Sequence, residues 1–230
     1  MTGGDPGRGE AGPGPAGDGV VGVLLAGGLA RRMGGGDKCL RPVAGRTLLA
    51  RARDRLAPQV RALVLNANGD PSRFAAFALP VVADAQAGNP GPLAGVLAGM
   101  DWARRCAPAC PFIVTAPTDS PFLPRDLVSR LVAARHDAGA DMACAASAGR
   151  DHPVIGLWPV SLADDLRTAM DVDGLRKVGA WTGRFRLARA EFATVPVDPF
   201  FNANAPDDLA RAEALLLAAA TDGEGRSVAH

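Results

Sequence analysis

Tyrosine is absent from the sequence, and three tryptophans and eight phenylalanines are the only large rings in 230 residues. Proteins that hold single-stranded nucleic acid without sequence preference lay successive bases on such rings, so a stacking platform of that kind is excluded. Charge of one sign is equally scarce: the formal net charge is +1, too little to recruit a polyanion through a global field. Any basic site must be local. No apolar run approaches the roughly twenty residues that cross a bilayer, and the N-terminus has no signal-peptide apolar region. Of the four cysteines (Cys39, Cys106, Cys110 and Cys144), only Cys106 and Cys110 are closely spaced, around Ala107-Pro108-Ala109. No second pair exists to complete a zinc site. These thiols read as packing or incidental surface residues, and a reducing cytoplasm is the expected compartment.

What the sequence does have is a strand-length apolar run, Val20 to Leu25, feeding directly into a loop from Gly27 to Lys38 with five glycines, two arginines and one lysine. The run suits a strand buried on both faces. Glycine admits positive φ and close backbone approach to a ligand, and successive N–H groups in such a loop can form an anion-binding concavity. Arg31, Arg32 and Lys38 add charge for a polyphosphate. The bland alternative is a basic surface loop. Neither Gly-x-x-x-x-Gly-Lys-Ser/Thr nor Gly-x-Gly-x-x-Gly with its downstream acid is present.

Hydrophobic residues make up 48% of the chain, enough for one α/β domain with a substantial core or two small lobes. Residues 1–19 are mostly Gly, Pro, Ala and charged residues without periodicity and are expected to be a disordered tail; 221–230 reads as a second loose tail. Between them, Arg46–Leu56 has helical character, stopped at Pro58. Val60–Leu65 reads as a strand ending at Asn66-Ala67-Asn68-Gly69, Pro71–Phe77 as a short helix, and Pro80–Ala83 as a strand closed by Asp84. Pro92 is placed to start a helix running to about Arg105. Phe112–Thr115 is a fourth strand broken by Pro117-Thr118-Asp119-Ser120-Pro121, and Pro124 opens a helix ending before Gly139. This alternation predicts a mostly parallel, Rossmann-like sheet with helices on both faces, a single three-layer domain over 20–220. It divides into a first half, 20–139, and a less regular second half, 140–220. In the second half, strands are expected at Asp141–Ala146 and, antiparallel, Asp151–Trp158. Helices are expected at Ser161–Met170 and around Gly174–Trp181, then an alternating segment Phe185–Val197, then a final helix led by Pro206, Asp207 and Asp208.

In open sheets, ligands sit beyond the carboxyl ends of the strands. That rule gathers the Gly27–Lys38 loop, Asn66, Asp84 and Asp119 on one rim. An aspartate after a strand is ordinarily a turn or cap residue. Asp119, however, is bracketed by two prolines where phosphates would lie, and a hard oxygen ligand there suits Mg²⁺, which binds through one or two carboxylates plus substrate phosphates. Asn204 either completes that metal or phosphate shell or caps the last helix.

Leu25-Ala26-Gly27-Gly28, Arg31-Arg32-Met33-Gly34 and Asp37-Lys38 resemble the signature of nucleotidyltransferases of the pyrophosphorylase type. Within them, the sequence is similar to the molybdenum cofactor guanylyltransferases. Further matches are Asn66-Ala67-Asn68, Pro90-Gly91-Pro92-Leu93-Ala94-Gly95, Thr118-Asp119-Ser120-Pro121-Phe122, Arg150-Asp151-His152-Pro153 and the run Phe201 to Leu209, so the likeness spans Val20 to about Leu216. It implies transfer of GMP from GTP to the terminal phosphate of molybdopterin, with Mg²⁺ as cofactor. By position, Leu25, Ala26, Gly27 and Gly28 would hold GTP through backbone groups, Lys38 would meet the phosphates, and Asn66 and Asp84 would fix the nucleoside. Asp119 would bind both GTP and Mg²⁺, with Asn204 beside it. Lys38, Asp119 and Arg32 would carry catalysis. Molybdenum-insertion proteins or chaperones of apo-molybdoenzymes are the implied protein partners; nucleic acid and membrane are not. Two departures stand out: Cys39 where a glycine often follows Asp-Lys, and the extra glycine in Gly34-Gly35-Gly36.

Little else is asked of side chains. A phosphate monoester is largely ionised near neutral pH and can attack an α-phosphate directly, so no Ser-His-Asp arrangement is required. His152 is expected to shape a strand start. Arg150, Arg176, Lys177 and Arg184 are candidates for an anionic acceptor, with a solvated helical face as the alternative for Arg176 and Lys177. A missing Cβ at Gly28 favours a purine over a pyrimidine, whereas cytidylyl relatives tend to carry a methyl at the position of Gly27. Rival functions are a molybdopterin cytidylyltransferase, a sugar- or polyol-phosphate nucleotidyltransferase, and a non-catalytic nucleotide-binding regulator; retention of Lys38 and Asp119 argues against the last.

Overall fold

The computed structural model describes residues 17–27, 36–84 and 91–226. Gly28 and Arg32, together with most of the expected N-terminal tail and the last four residues, lie outside the described residues. The elements are β1 (Val20–Leu25), the short strands β2 (Pro42–Val43) and β3 (Arg46–Thr47), α1 (Leu48–Leu56), β4 (Ala62–Asn66), β5 (Val81–Val82), α2 (Pro92–Cys106), β6 (Phe112–Pro117), α3 (Leu127–Asp137), β7 (Met142–Ser147), β8 (Arg150–Pro159), α4 (Ala163–Asp171), α5 (Val178–Thr182), β9 (Leu187–Phe192) and α6 (Pro206–Arg226). Turns of 3₁₀ helix cover Lys38–Leu40 and Pro71–Phe77.

One seven-stranded sheet runs β5-β4-β1-β6-β8-β7-β9. The β5, β4, β1 and β6 neighbours pair in parallel, as do β7 and β9. β8 pairs antiparallel with both β6 and β7, so the second half of the chain continues the first half's sheet. The α/β architecture expected from the sequence is what forms. Its physical origin is visible in β1, whose six residues are all buried. Val20 and Leu24 face the core beneath α1 and α3, while Val21, Val23 and Leu25 face the core beneath α2, α4 and α5. A strand apolar at every position can only sit between two helical layers.

Close approach of α2 to the sheet depends on two glycines. A Cβ at Gly99 would meet Val23 Cγ2 at 2.6 Å, and one at Gly95 would meet Asn66 Oδ1 at 2.4 Å. The central buried polar group is satisfied: Thr115 Oγ1 donates to the Val154 carbonyl (2.7 Å) and accepts from Trp158 Nε1 (2.7 Å). A third, smaller apolar cluster joins Val43, Leu48, Phe122, Ala203 and Ala212, seating the first turn of α1 and α6 against the β2–β3 hairpin, where the Ala44 N–H donates to Glu213 Oε1.

The structure departs from the sequence expectation at several boundaries. Arg46 and Thr47 are strand rather than helix, because Thr47 is the N-cap of α1 and its Oγ1 accepts from the Ala50 N–H at 3.1 Å. The helix expected at Pro124 starts at Leu127, held there by Gln59, which donates to the Pro124 carbonyl and accepts from the Val128 N–H. Around 174–181 only Val178–Thr182 is helical. Gly174, at φ +66°, and a Leu175 N–H to Ala169 carbonyl bond close α4, as left-handed glycines after helices commonly do. α6 continues through 221–226, into the stretch expected to be loose.

Candidate active site

Parallel strands deliver their carboxyl ends to one edge of the sheet, and the rim residues sit where that rule puts them. Leu25 and Asn66 end β1 and β4, Asp84 follows β5, and Thr118-Asp119 follows β6. Direct contacts sort them into two clusters.

The first contains Lys38, Asp119 and Asn204. Lys38 Nζ lies 2.5 Å from Asp119 Oδ2 and donates to Asn204 Oδ1 at 2.5 Å. Both charged side chains are mostly covered, at 13% and 21% exposure. The other carboxylate oxygen, Asp119 Oδ1, is buried and has no hydrogen-bond partner among the described residues. A buried, unpaired carboxylate oxygen is costly, and a cation or a donor from a ligand relieves that cost. Asp119 is held firmly. The Thr118 N–H and Oγ1 both donate to the Leu25 carbonyl at 3.2 Å, and the Ala203 N–H donates to the Asp119 carbonyl at 3.0 Å. Buried Ser120 donates to Asn202 Oδ1 at 2.8 Å. Asn202 therefore fastens the 202–204 segment to the Asp119 turn, and Asn204 is presented to Lys38. The side chain of Asn204 does not cap α6. Asp208 does so, its Oδ2 accepting from the Asn204 and Ala205 N–H groups at 2.9 and 2.8 Å, an acid at the third helical position reaching back as in a capping box.

The second cluster is Asn66, Asn68 and Asp84. Buried Asn66 donates from Nδ2 to Asp84 Oδ1 (2.9 Å) and to the Val82 carbonyl (3.2 Å). Asn68 donates to Asp84 Oδ2 (2.8 Å) and accepts from the Asp84 N–H (2.9 Å). Two amides thus orient one carboxylate. Asn68 was legible only as part of Asn-Ala-Asn and was not singled out; its contact with Asp84 depends on chain pairing that local pattern does not carry.

Some backbone groups expected to meet the nucleotide are already engaged. The Ala26 N–H donates to the Asn66 carbonyl at 2.9 Å, and the Leu25 carbonyl accepts from Thr118. Gly27 borders open space, since a Cβ there would meet nothing within 4 Å. Among the described residues no group of three or more His, Cys, Asp or Glu side chains could hold a metal by itself.

The second half contributes an anchoring cluster. His152, half-buried, places Nε2 2.7 Å from Ser147 Oγ, and Ser147 donates to Asp198 Oδ1 at 3.1 Å. With the hydroxyl hydrogen on that path, His152 carries its proton on Nε2 and donates to Ser147. Its ring packs 4.6 Å from Phe200, and Asp198 also accepts from the Phe200 N–H. His152 does sit near the start of β8, and it also moors the chain leading to Asn202. Burial holds its pKa below the ordinary 6.5, against the opposing pull of Asp198. Of the cations considered for an acceptor, Arg176 is spent on the Met170 and Leu175 carbonyls and Arg184 on Asp173 at 2.7 Å; Lys177 and Arg150 are exposed. The Arg176 carbonyl lies 3.2 Å from where a Cβ on Gly91 (φ +77°) would stand, which brings 175–177 against the N-terminus of α2.

Residues 22–190 match the family model for the MobA-like NTP transferase domain. The chain is 60% identical over 195 residues to the molybdenum cofactor guanylyltransferase of Rhodopseudomonas palustris (strain BisB5), covering 85% of this chain and 93% of that protein. It is 48% identical over 200 residues to the same-named protein of Mesorhizobium japonicum, covering 86% and 96%. Among solved structures, molybdopterin-guanine dinucleotide biosynthesis protein A from Archaeoglobus fulgidus superposes with a TM-score of 0.66 at 24% identity, over 85% of this chain and 98% of that one, a likeness of fold.

Proposed function

Because the chain belongs to the MobA-like NTP transferase family, we propose that it transfers GMP from GTP to the terminal phosphate of the molybdenum cofactor, releasing pyrophosphate. The observation that carries this reading is the Lys38–Asp119–Asn204 cluster with its unpaired buried oxygen, set on the same strand-end rim as the Asn66–Asn68–Asp84 cluster. One supports a charged, metal-bearing phosphate site, the other a polar nucleoside site.

In this scheme Asp84, oriented by Asn66 and Asn68, accepts from nucleoside donors, and Gly27 gives the nucleotide close approach to backbone. Lys38, leaving Asp119, neutralises the triphosphate with Arg32. Asp119 fits as the protein ligand of Mg²⁺ because its Oδ1 is buried and has no hydrogen-bond partner among the described residues; Asn204 Oδ1, which accepts from the same Lys38 amine as Asp119 Oδ2, would complete the shell. When bound, Mg²⁺ supplies neutralisation of charge on the transferring phosphoryl group. An oxygen of the acceptor phosphate, ionised near neutral pH, forms the new bond to the α-phosphorus. The bond from that phosphorus to the oxygen bridging to the β-phosphate breaks, and pyrophosphate leaves with the electron pair. No side chain need become a nucleophile; positioning and electrostatics carry the rate. Of the four cations read as acceptor candidates, exposed Lys177 and Arg150 would meet the acceptor's anionic groups.

No helix among the described residues is long and apolar enough to cross a membrane, and all four cysteines are free, which suits a reducing cytoplasm. Molybdenum-insertion proteins and chaperones of apo-molybdoenzymes are the partners such a product calls for. The test is incubation of the protein with GTP, Mg²⁺ and molybdopterin, scoring pyrophosphate and the guanine dinucleotide, with CTP, UTP and ATP as competitors. A wild-type preference for CTP would overturn the guanylyl assignment.

A further inference from the structure

Arg73 belongs to neither cluster, yet it touches the flank of both. It sits in the 3₁₀ turn Pro71–Phe77, with its guanidinium carbon 4.8 Å from the centre of the Phe74 ring. From there it reaches two ways. Nε lies 2.8 Å from Oδ2 of Asp37, the residue peptide-bonded to Lys38. Nη2 donates to the carbonyl of Asn68, the residue whose side chain grips Asp84. The turn after Asn68 is shaped around the same group: Gly69 has φ +85°, and a Cβ there would stand 2.9 Å from Arg73 Nη1. Any side chain at 69 would meet both an unfavourable backbone conformation and the guanidinium.

We infer that Arg73 is a positioning residue that ties the nucleoside cluster to the placement of Lys38. Through Asp37 it fixes where the lysine stem leaves the chain; through the Asn68 carbonyl it fixes the turn that presents Asn68 to Asp84. The task needs arginine, because a planar fork directs donors from separate nitrogens to separate acceptors, whereas an ammonium is a point charge on a flexible stem. The ion pair is partly exposed, 33% for Arg73 and 21% for Asp37, and such pairs contribute little to global stability. Its loss should therefore be felt in the site rather than in the fold. The functional consequence rests on the GTP-site reading above, but the placement of Lys38 does not.

That separation makes the test possible. The sequence contains only two lysines, Lys38 and Lys177, so amine acetylation read by mass spectrometry gives Lys38 with a built-in reference. In the full chain without nucleotide, Arg73→Gln and Asp37→Asn should each raise the Lys38 labelling rate severalfold relative to Lys177, with an unchanged denaturation midpoint. The double variant should label no faster than either single one. Arg73→Lys should not restore protection. With GTP, Mg²⁺ and molybdopterin, Arg73→Gln should lower kcat on the order of tenfold, more than it raises the KM for GTP. An unchanged Lys38/Lys177 labelling ratio, multiplicative effects in the double variant, or a wild-type Arg73→Lys would each overturn the inference. If the labelling behaves as expected while the wild type transfers no GMP, the functional reading fails and the positioning stands.

Discussion

Gly95→Ala sets two well-known effects against each other. In a helix interior, alanine is favoured over glycine by about 1 kcal/mol, so propensity alone makes the variant more stable. The structure says otherwise. The new methyl would stand 2.4 Å from Asn66 Oδ1 and 2.7 Å from Leu25 Cδ2, as much as a full ångström inside the 3.4 Å of ordinary contact. Asn66 is not free to swing aside, because its amide holds Asp84 Oδ1 and the Val82 carbonyl. Overpacking of this sort costs about 1–3 kcal/mol, and surrendering a hydrogen bond to a charged group about 1.5–3 kcal/mol. Together they outweigh the propensity gain, so we expect net destabilisation of about 1.5–5 kcal/mol and, with Asn66 displaced, GTP binding weakened about tenfold, equivalent to about 1.4 kcal/mol. Gly99→Ala is the control. Its methyl would crowd Val23 Cγ2 at 2.6 Å and Ile113 Cδ1 at 3.3 Å. Valine is stiff at χ1, so stability falls, but no polar group of the site is touched and GTP affinity stays. Denaturant unfolding and equilibrium GTP binding on both variants decide the matter. A Gly95→Ala protein that is more stable and binds GTP normally refutes the close approach, and equal loss of affinity in Gly99→Ala refutes its specificity.

Lys38→Ala should lower turnover roughly 10²–10³-fold, the usual cost of one preorganised charge, and should also lower the unfolding midpoint, because it leaves the mostly covered Asp119 carboxylate without its cation; near-normal turnover in the pyrophosphate-release assay would contradict its role. Asp119→Asn keeps the shape and removes the charge, so metal-dependent turnover should vanish while GTP still binds, as a Mg²⁺ titration of activity would read. Burial pushes the Cys39 thiol up to about 12 and that of Cys144 up to about 11, and Cys110 is also buried. A disulfide-exchange reagent should therefore titrate one fast thiol in the native protein, Cys106, and a second fast equivalent would contradict the packing. His152 has its pKa lowered below 6.5 by burial, so near and below that pH the unfolded chain binds the extra proton. Stability should fall as pH drops through about 6.5 toward the folded-state value, and His152→Gln should flatten that part of the profile.

The first half of the chain was legible because its strands are apolar at consecutive positions and end in punctuation. Val20–Leu25 announces burial on both faces, and Lys38, Asn66, Asp84 and Asp119 follow from the strand-end rule. The β2–β3 hairpin was not legible, since two-residue strands carry no periodicity, and Thr47 reads equally as helix or cap. Gln59 shows why helix starts drift: a side chain on a distant turn, bonded to Pro124 and Val128, moves the boundary. The holding roles of Asn68, Ser120, Asp208 and Arg73 are not legible in the sequence for one reason. Each acts by holding another residue, and nothing in its own neighbours names the partner. Arg176 and Arg184 looked available as cations until carbonyls and Asp173 were found to occupy them.

The third apolar cluster implies an order of events. Val43, Leu48, Phe122, Ala203 and Ala212 belong to the very segments that carry Lys38, the Asp119 turn and Asn204, and they pack apart from the two large cores that bind the sheet to its helices. Native proteins breathe in cooperative pieces, and pieces with little apolar area of their own breathe most easily. Around the phosphate end, then, the hairpin and the stretch from Ala203 to Ala212 form a small unit that can part and reseat while the Asp119 turn stays tied to β1 and the seven strands stay paired. Amides of the β2–β3 hairpin and the first turns of α6 should accordingly exchange with solvent well before those of β1 and β6.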